Sequence, residues 1–194
     1  MNLVAHQFLS FNNPSLQIGN LLGEVVKGNK YNDYPEDIKK GILLHRAIDT
    51  FTDQHDVVKK STSYFHDSQN KYAPILVDLL YDYILIKQWN KFNSKTFESF
   101  TSNCYELFHL NYDNFPHRLQ HMLDYLLKHD WFNNYSTLDG IQLTLSGISK
   151  RTTFDNNLPY ALATMKKYEE EIENDFNIFF PELIAHCKDF IDNN

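Results

Sequence analysis

The stretch APILVDLLYDYILIKQW, residues 73–89, constrains the fold more than any other part of the chain. Pro74 suits the first turn of a helix, and the residues after it are apolar on more than one face. Such a helix is stable in water only when other elements cover most of it, which predicts a central, buried position. Its surroundings read as helical too. Only six glycines and six prolines occur in 194 residues, too few to supply the turns of a β-sandwich or barrel.

Helix signals recur along the chain. NNPSLQIGNLLGEVVKG offers Asn13 as a cap, Pro14 in the first turn, apolar Leu16, Leu21, Leu22, Val25 and Val26, and Gly28 as its close. YPEDIKKGILLHRAIDTFTD starts at Pro35 with Glu36 and Asp37 in its first turn, where carboxylates suit the helix dipole. Further helical stretches cover about 95–111, 116–131, 136–150 and 159–192, and Pro181 is expected to kink or split the last. Strand alternation, internal repeats and low-complexity linkers are missing. The reading is all-α: a single compact domain over residues 1–194, with about eight helices.

Composition fits a globular chain, with 42% hydrophobic and 22% charged residues. The net charge of -7 argues against a nucleic-acid binder and asks any acidic partner to find a local basic patch. Cys104 and Cys187 lack metal-like spacing and read as free buried thiols. In MNLVAHQFLSFNN no basic segment precedes the apolar run, which His6 and Gln7 break, so no secretory leader is expected. No apolar run approaches the roughly 20 residues of a membrane span. The expectation is a soluble, cytoplasmic chain.

Two stretches carry the candidate chemistry. In GILLHRAIDTFTD, helical spacing puts His45, Asp49 and Asp53 on nearly one side. In VDLLYDY, Asp78 and Asp82 share a face of the most apolar helix, where a carboxylate is costly unless paired or bound to a cation. Helix bundles build metal sites from such inward-pointing groups, and a mixed nitrogen and oxygen shell suits manganese, magnesium or iron. Spacing alone leaves a second reading open, a buried ion-pair network in which Arg46 answers some of the carboxylates.

Other residues add smaller signals. His6 and Glu24 each interrupt an apolar run, and Gly19 and Gly23 would let another backbone approach closely. His117, His121 and Asp124 share a helix face, which reads as ordinary surface because two histidines alone do not make a site. In SGISKR, Lys150 and Arg151 favour a helix C-terminus or offer a fork for phosphate. The acidic run Glu169 to Glu171 reads as a solvated face.

Taken in order, MNLVAH, GNLLGE, HRAIDTFTD, VDLLYDY and SGISKR resemble the signature blocks of the acyl carrier protein phosphodiesterase family over nearly the whole chain. The resemblance implies a fold like the HD-domain metal-dependent phosphohydrolases, and a divalent cation, typically manganese with magnesium as the alternative. It implies hydrolysis of the phosphodiester joining 4′-phosphopantetheine to a serine of acyl carrier protein. His6, His45, Asp49, Asp78 and Asp82 then fall on charged motif positions as metal-ligand candidates. Glu24, Arg46 and Asp53 become catalytic candidates, and Lys150 and Arg151 candidates for phosphate or partner binding. One departure stands out: the family's glycine-asparagine block ends in aspartate, whereas this chain has the longer Glu24. Because acyl carrier proteins are acidic, a basic rim is expected from Lys27, Lys39, Lys40, Lys150 and Arg151. Two other readings stay open: a phosphohydrolase acting on a nucleotide or other small phosphodiester, and a non-enzymatic helical binding protein.

Overall fold

Local chemistry sets the helix starts. The Asn13 side chain accepts from the Leu16 amide, and Pro14 opens the helix it caps. Pro35 precedes a helix whose first turn carries Glu36 and Asp37. The computed structural model describes residues 1–194, and its regular elements are all helical. They run α1 (Leu3–Phe8), α2 (Pro14–Gly23), α3 (Glu36–Gln54), α4 (Asp56–Ser63), α5 (His66–Gln69), α6 (Ala73–Lys87) and α7 (Trp89–Phe92). The second half adds α8 (Phe97–Leu110), α9 (His117–Lys128), α10 (Trp131–Asn134), α11 (Leu138–Arg151), α12 (Ala161–Lys167) and α13 (Glu169–Asn193). The chain is all-α, as its patterning predicts.

Helix α6 holds the expected central place. Leu76, Val77, Leu79, Leu80, Tyr81, Ile84 and Leu85 are all buried, around most of its circumference. Against it packs α13, whose Phe176 and Phe179 rings each lie 5.4 Å from that of Tyr81. The core that results is continuous through the molecule. No helix is long and apolar enough to cross a membrane.

The boundaries depart from the sequence reading in three places. Helix α2 ends at Gly23 rather than Gly28, and Gly28 instead takes a left-handed turn at φ +59°. Helices α4 and α5, polar and short, lie outside the helical stretches that the sequence predicts. The C-terminal stretch divides at Tyr168, not at Pro181, which lies inside the continuous α13. Tyr168 leaves helical geometry with its ring stacked 4.7 Å from that of Tyr64. Pro181 sits on the exposed side of α13, where water can satisfy the carbonyl left without an N–H partner.

Helices α2 and α3 cross closely. A Cβ on Gly41 would stand 2.7 Å from the Leu16 carbonyl oxygen and 2.8 Å from the Gly19 Cα. Two glycines facing each other allow this approach, and it brings Asn20 and His45 within hydrogen-bonding reach. Gly19 behaves as its spacing predicts. Gly41, its partner across the crossing, carries no such signal in the sequence.

Candidate metal centre

His6 on α1 and His45 on α3 are buried, and their imidazole rings lie 4.3 Å apart. Helix α1 is only six residues long, so its placement depends on contacts outside itself. Asp82 of α6 supplies them. Its Oδ2 accepts from the Val4 amide at 2.9 Å, and its Oδ1 from the Asn2 and Ala5 amides at 3.3 Å each. One buried carboxylate thereby satisfies orphan N–H groups at the start of α1 and fixes the turn that carries His6. Burial pushes the Asp82 carboxyl up to about 7, against the opposing pull of nearby positive charge and these amides.

Asn20 on α2 joins the two histidines. Its Oδ1 accepts from His6 Nδ1 at 2.8 Å and from His45 Nδ1 at 3.1 Å. Its Nδ2 donates to the His6 carbonyl at 2.9 Å and to Ser10 Oγ at 3.2 Å, and Ser10 Oγ donates to that same carbonyl. A backbone carbonyl only accepts, so the orientation of the amide is fixed. Both Nδ1 atoms therefore carry the hydrogen.

Both Nε2 atoms face Asp49. His6 Nε2 lies 3.2 Å from Asp49 Oδ1 and His45 Nε2 3.3 Å from Asp49 Oδ2. Burial, followed by the charge of His6, pushes His45 down to about 3, so it stays neutral at physiological pH. A neutral imidazole whose hydrogen is on Nδ1 offers Asp49 no hydrogen, only a second lone pair. A cation between the groups relieves that arrangement. The three ligand atoms lie within 4.8 Å of one another, and Asp49 is 47% exposed, so the point where they converge opens to solvent. Two imidazole nitrogens and a carboxylate oxygen fit a divalent transition metal with positions left for water or substrate. No other three such side chains bring their ligand atoms this close.

The remaining candidates fall into separate places. Asp78 and Asp82 do not join the cluster: Asp82 serves α1, and Asp78 Oδ1 lies 2.7 Å from the Met1 amino group. Their common face is real, but it turns toward the chain start. Arg46 is also committed elsewhere, its Nη2 donating to the Val26 and Gly28 carbonyls at 3.2 and 2.7 Å while its guanidinium stacks 4.9 Å from Tyr31. It holds the loop between α2 and α3 and answers none of the carboxylates. Glu24 caps the C-terminus of α2 near His6 and Asp49, and burial raises its carboxyl above the usual range. Asp53, one turn beyond Asp49, is raised by burial and then by the Asp78 and Asp49 carboxylates.

Asp53 and Asp78 face a cleft of about 410 Å³ between α3, α4 and α6, which Thr52, Thr62 and His66 also line. The Thr52 hydroxyl is buried without a hydrogen-bond partner. Lys27, Lys150 and Arg151 are exposed. Lys27 acts on the charges of Glu24 and His45, and Arg151 on the buried Tyr135 phenol, which also senses Asp82 and Glu24. Lys39 pairs with Glu36, and Lys40 donates to the Ile191 carbonyl, so both are engaged away from the centre. His117 bonds to Gln120 and Asp124 accepts from Tyr112, an ordinary surface arrangement.

Sequence reading missed Asn20 and Ser10. Asn20 lies inside GNLLGE, but an asparagine among leucines gives no periodic signal; only the fold reveals the two histidines it serves.

Comparison with known proteins supplies the context. A family model described as acyl carrier protein phosphodiesterase matches residues 1–183. The acyl carrier protein phosphodiesterase of Yersinia pestis is 29% identical over 189 residues, covering 97% of this chain and 98% of that protein. The protein of the same name from Salmonella paratyphi A is 28% identical over 188 residues, covering 96% and 97%. No solved structure matches the chain.

Proposed function

The chain belongs to the acyl carrier protein phosphodiesterase family, and from that premise we propose that it acts as a metal-dependent hydrolase of holo acyl carrier protein. The bond cleaved joins 4′-phosphopantetheine to the carrier serine, and the products are apo carrier protein and free phosphopantetheine. The observation that supports metal dependence is the convergence of two imidazole Nε2 atoms on the Asp49 carboxylate. His6, His45 and Asp49 would hold a divalent ion, manganese before magnesium. Such an ion lowers the pKa of a water and offsets charge on the phosphoryl oxygens.

The chain's own groups divide the proton traffic. Glu24, close to His6 and Asp49, takes the proton of the attacking water as that oxygen bonds to phosphorus. Asp53, held above the usual carboxylate range, gives a proton to the serine oxygen as the P–O bond breaks. The adjoining cleft has a volume in the range of about 300–1,000 Å³ that suits small ligands, and it receives the pantetheine arm. Lys27, Lys150 and Arg151 form the rim that meets the acidic carrier protein. The cytoplasm is the compartment this activity requires.

Incubating the protein with holo carrier protein and manganese tests the proposal, with intact-mass spectrometry as the readout. Conversion of the carrier to its apo mass, with release of phosphopantetheine, is expected. Unchanged holo carrier beside folded protein, with manganese and with magnesium, rejects the assignment. Cleavage of small phosphodiesters alone would favour the small-substrate reading instead.

A further inference from the structure

We propose that Asn20 is a positioning residue that locks both histidines of the centre in one tautomer, so that a single carboxamide aims two metal ligands at one point. This rests on the metal-dependent reading of the centre, and it assigns a task to a residue that touches neither metal nor substrate.

The geometry closes on itself. The Asn20 oxygen has two lone pairs, and each is taken by an imidazole Nδ1, at 2.8 Å from His6 and 3.1 Å from His45. The Asn20 nitrogen has two hydrogens, and the His6 carbonyl and Ser10 Oγ take them. All four hydrogen-bonding positions of the amide are filled, in a residue with no exposed surface. Reversing the amide would set its oxygen against the His6 carbonyl oxygen, with no hydrogen between them. One orientation is therefore strongly favoured, and it places a hydrogen on each Nδ1, so that Nε2 is the nitrogen left to bind a metal.

A metal-ligating histidine usually donates its one ring N–H to a carboxylate, a carbonyl or water, and losing such a partner costs about 10–100-fold in metal affinity. Here one acceptor serves both rings. That sharing accounts for the ring separation of 4.3 Å, for the close α2–α3 crossing that brings Asn20 to His45, and for the Ser10 brace that holds the amide. It also couples α1 to α3, so a shift of either histidine disturbs the other.

The decisive measurement is the tautomeric state of His6 and His45, read from ¹⁵N–¹H correlation spectra of the metal-free full-length protein. An unconstrained neutral imidazole in water favours Nε2–H, so Nδ1–H at both residues is the expected and distinctive result. A ring with its hydrogen on Nε2 and none on Nδ1, at either residue, overturns the proposal. The Asn20→Leu variant, close in size but without hydrogen bonds, is expected to lose the Nδ1–H signature and to bind manganese about 10–100-fold more weakly by calorimetry. A folded Asn20→Leu protein that keeps wild-type tautomers or manganese affinity also overturns it. Should that variant not fold, the wild-type spectra decide alone. Wild-type protein showing both Nδ1–H tautomers yet binding no manganese would reject the metal reading and leave the lock standing, so the two failures are distinguishable.

Discussion

Gly23 and His45 are tied by exclusion: a methyl group on Gly23 would fall into the imidazole of His45, 2.7 Å from Cδ2. The ring occupies the space that the missing side chain leaves on α2, and it is held there by Asn20 one turn earlier. Gly23→Ala is therefore expected to displace His45 and weaken manganese binding at least tenfold. The stability loss should be that of an overpacked core site, about 1–3 kcal/mol. Calorimetric titration and thermal melting read the two effects, and unchanged manganese affinity would count against the placement of His45.

Asp82 and Asp78, equally spaced candidates in the sequence, should behave differently when altered. Asp82→Ala strips the start of α1 of an acceptor that serves three amides, those of Val4 and Ala5 buried and that of Asn2 half-buried. The expected loss is about 2–4 kcal/mol in denaturant unfolding, because the N–H groups are left without partners. Asp78→Asn, at a partly exposed position, should retain wild-type manganese affinity because Asp78 is not among the converging ligands. A lost metal site in Asp78→Asn would return that carboxylate to the ligand set.

How far these distinctions were legible in the sequence depends on the kind of interaction. The all-helical class followed from proline-led starts such as Pro14 and Pro35 and from the apolar run of α6, all local signals. His45 and Asp49 were legible as one face of one helix, and that face is where they converge. Asp78 and Asp82 carried the same signal with a different meaning. Spacing shows that a buried carboxylate needs a partner, not whether the partner is a cation or the N–H groups of another helix. The Gly19–Gly41 contact and the Asn20 bridge were illegible for the same reason, since each exists only between elements distant in sequence. Nor does anything local announce that a loop will fold back to offer the Val26 and Gly28 carbonyls to Arg46.

The pH dependence of stability follows from His45. Burial pushes it from 6.5 to about 3 in the folded protein. Above about pH 6.5 neither folded nor unfolded chain binds this proton, and the contribution is constant. Between about 6.5 and 3 the unfolded chain binds it and the folded one does not, so stability falls as the pH falls. Without metal, in the presence of a chelator, this residue should contribute a slope of up to about 1.4 kcal/mol per pH unit in that window. Denaturant unfolding of wild type and His45→Gln across pH 4–7 reads it; the variant should lose that share of the slope, and equal slopes would contradict the assignment.

The basic rim gives a prediction with its own control. Reversing Lys27 and Arg151 to glutamate should lower kcat/KM for holo carrier protein about tenfold or more at low salt, and the deficit should shrink as ionic strength rises. Manganese affinity should change little, because neither side chain belongs to the converging ligands. A deficit independent of salt would place these residues outside the docking surface.

The most direct test of the centre is manganese binding to wild-type protein and to Asp49→Ala, followed by calorimetry and by electron paramagnetic resonance. Asp49 supplies the only carboxylate on which both imidazoles converge. The wild type should show a specific site whose occupancy raises the melting temperature. At a free metal concentration of about 100 times Kd, the stabilisation should be about 2.7 kcal/mol. Asp49→Ala should lose both the site and the stabilisation while remaining folded. Equal manganese affinity in the two proteins would contradict the assignment of His6, His45 and Asp49 as the metal centre.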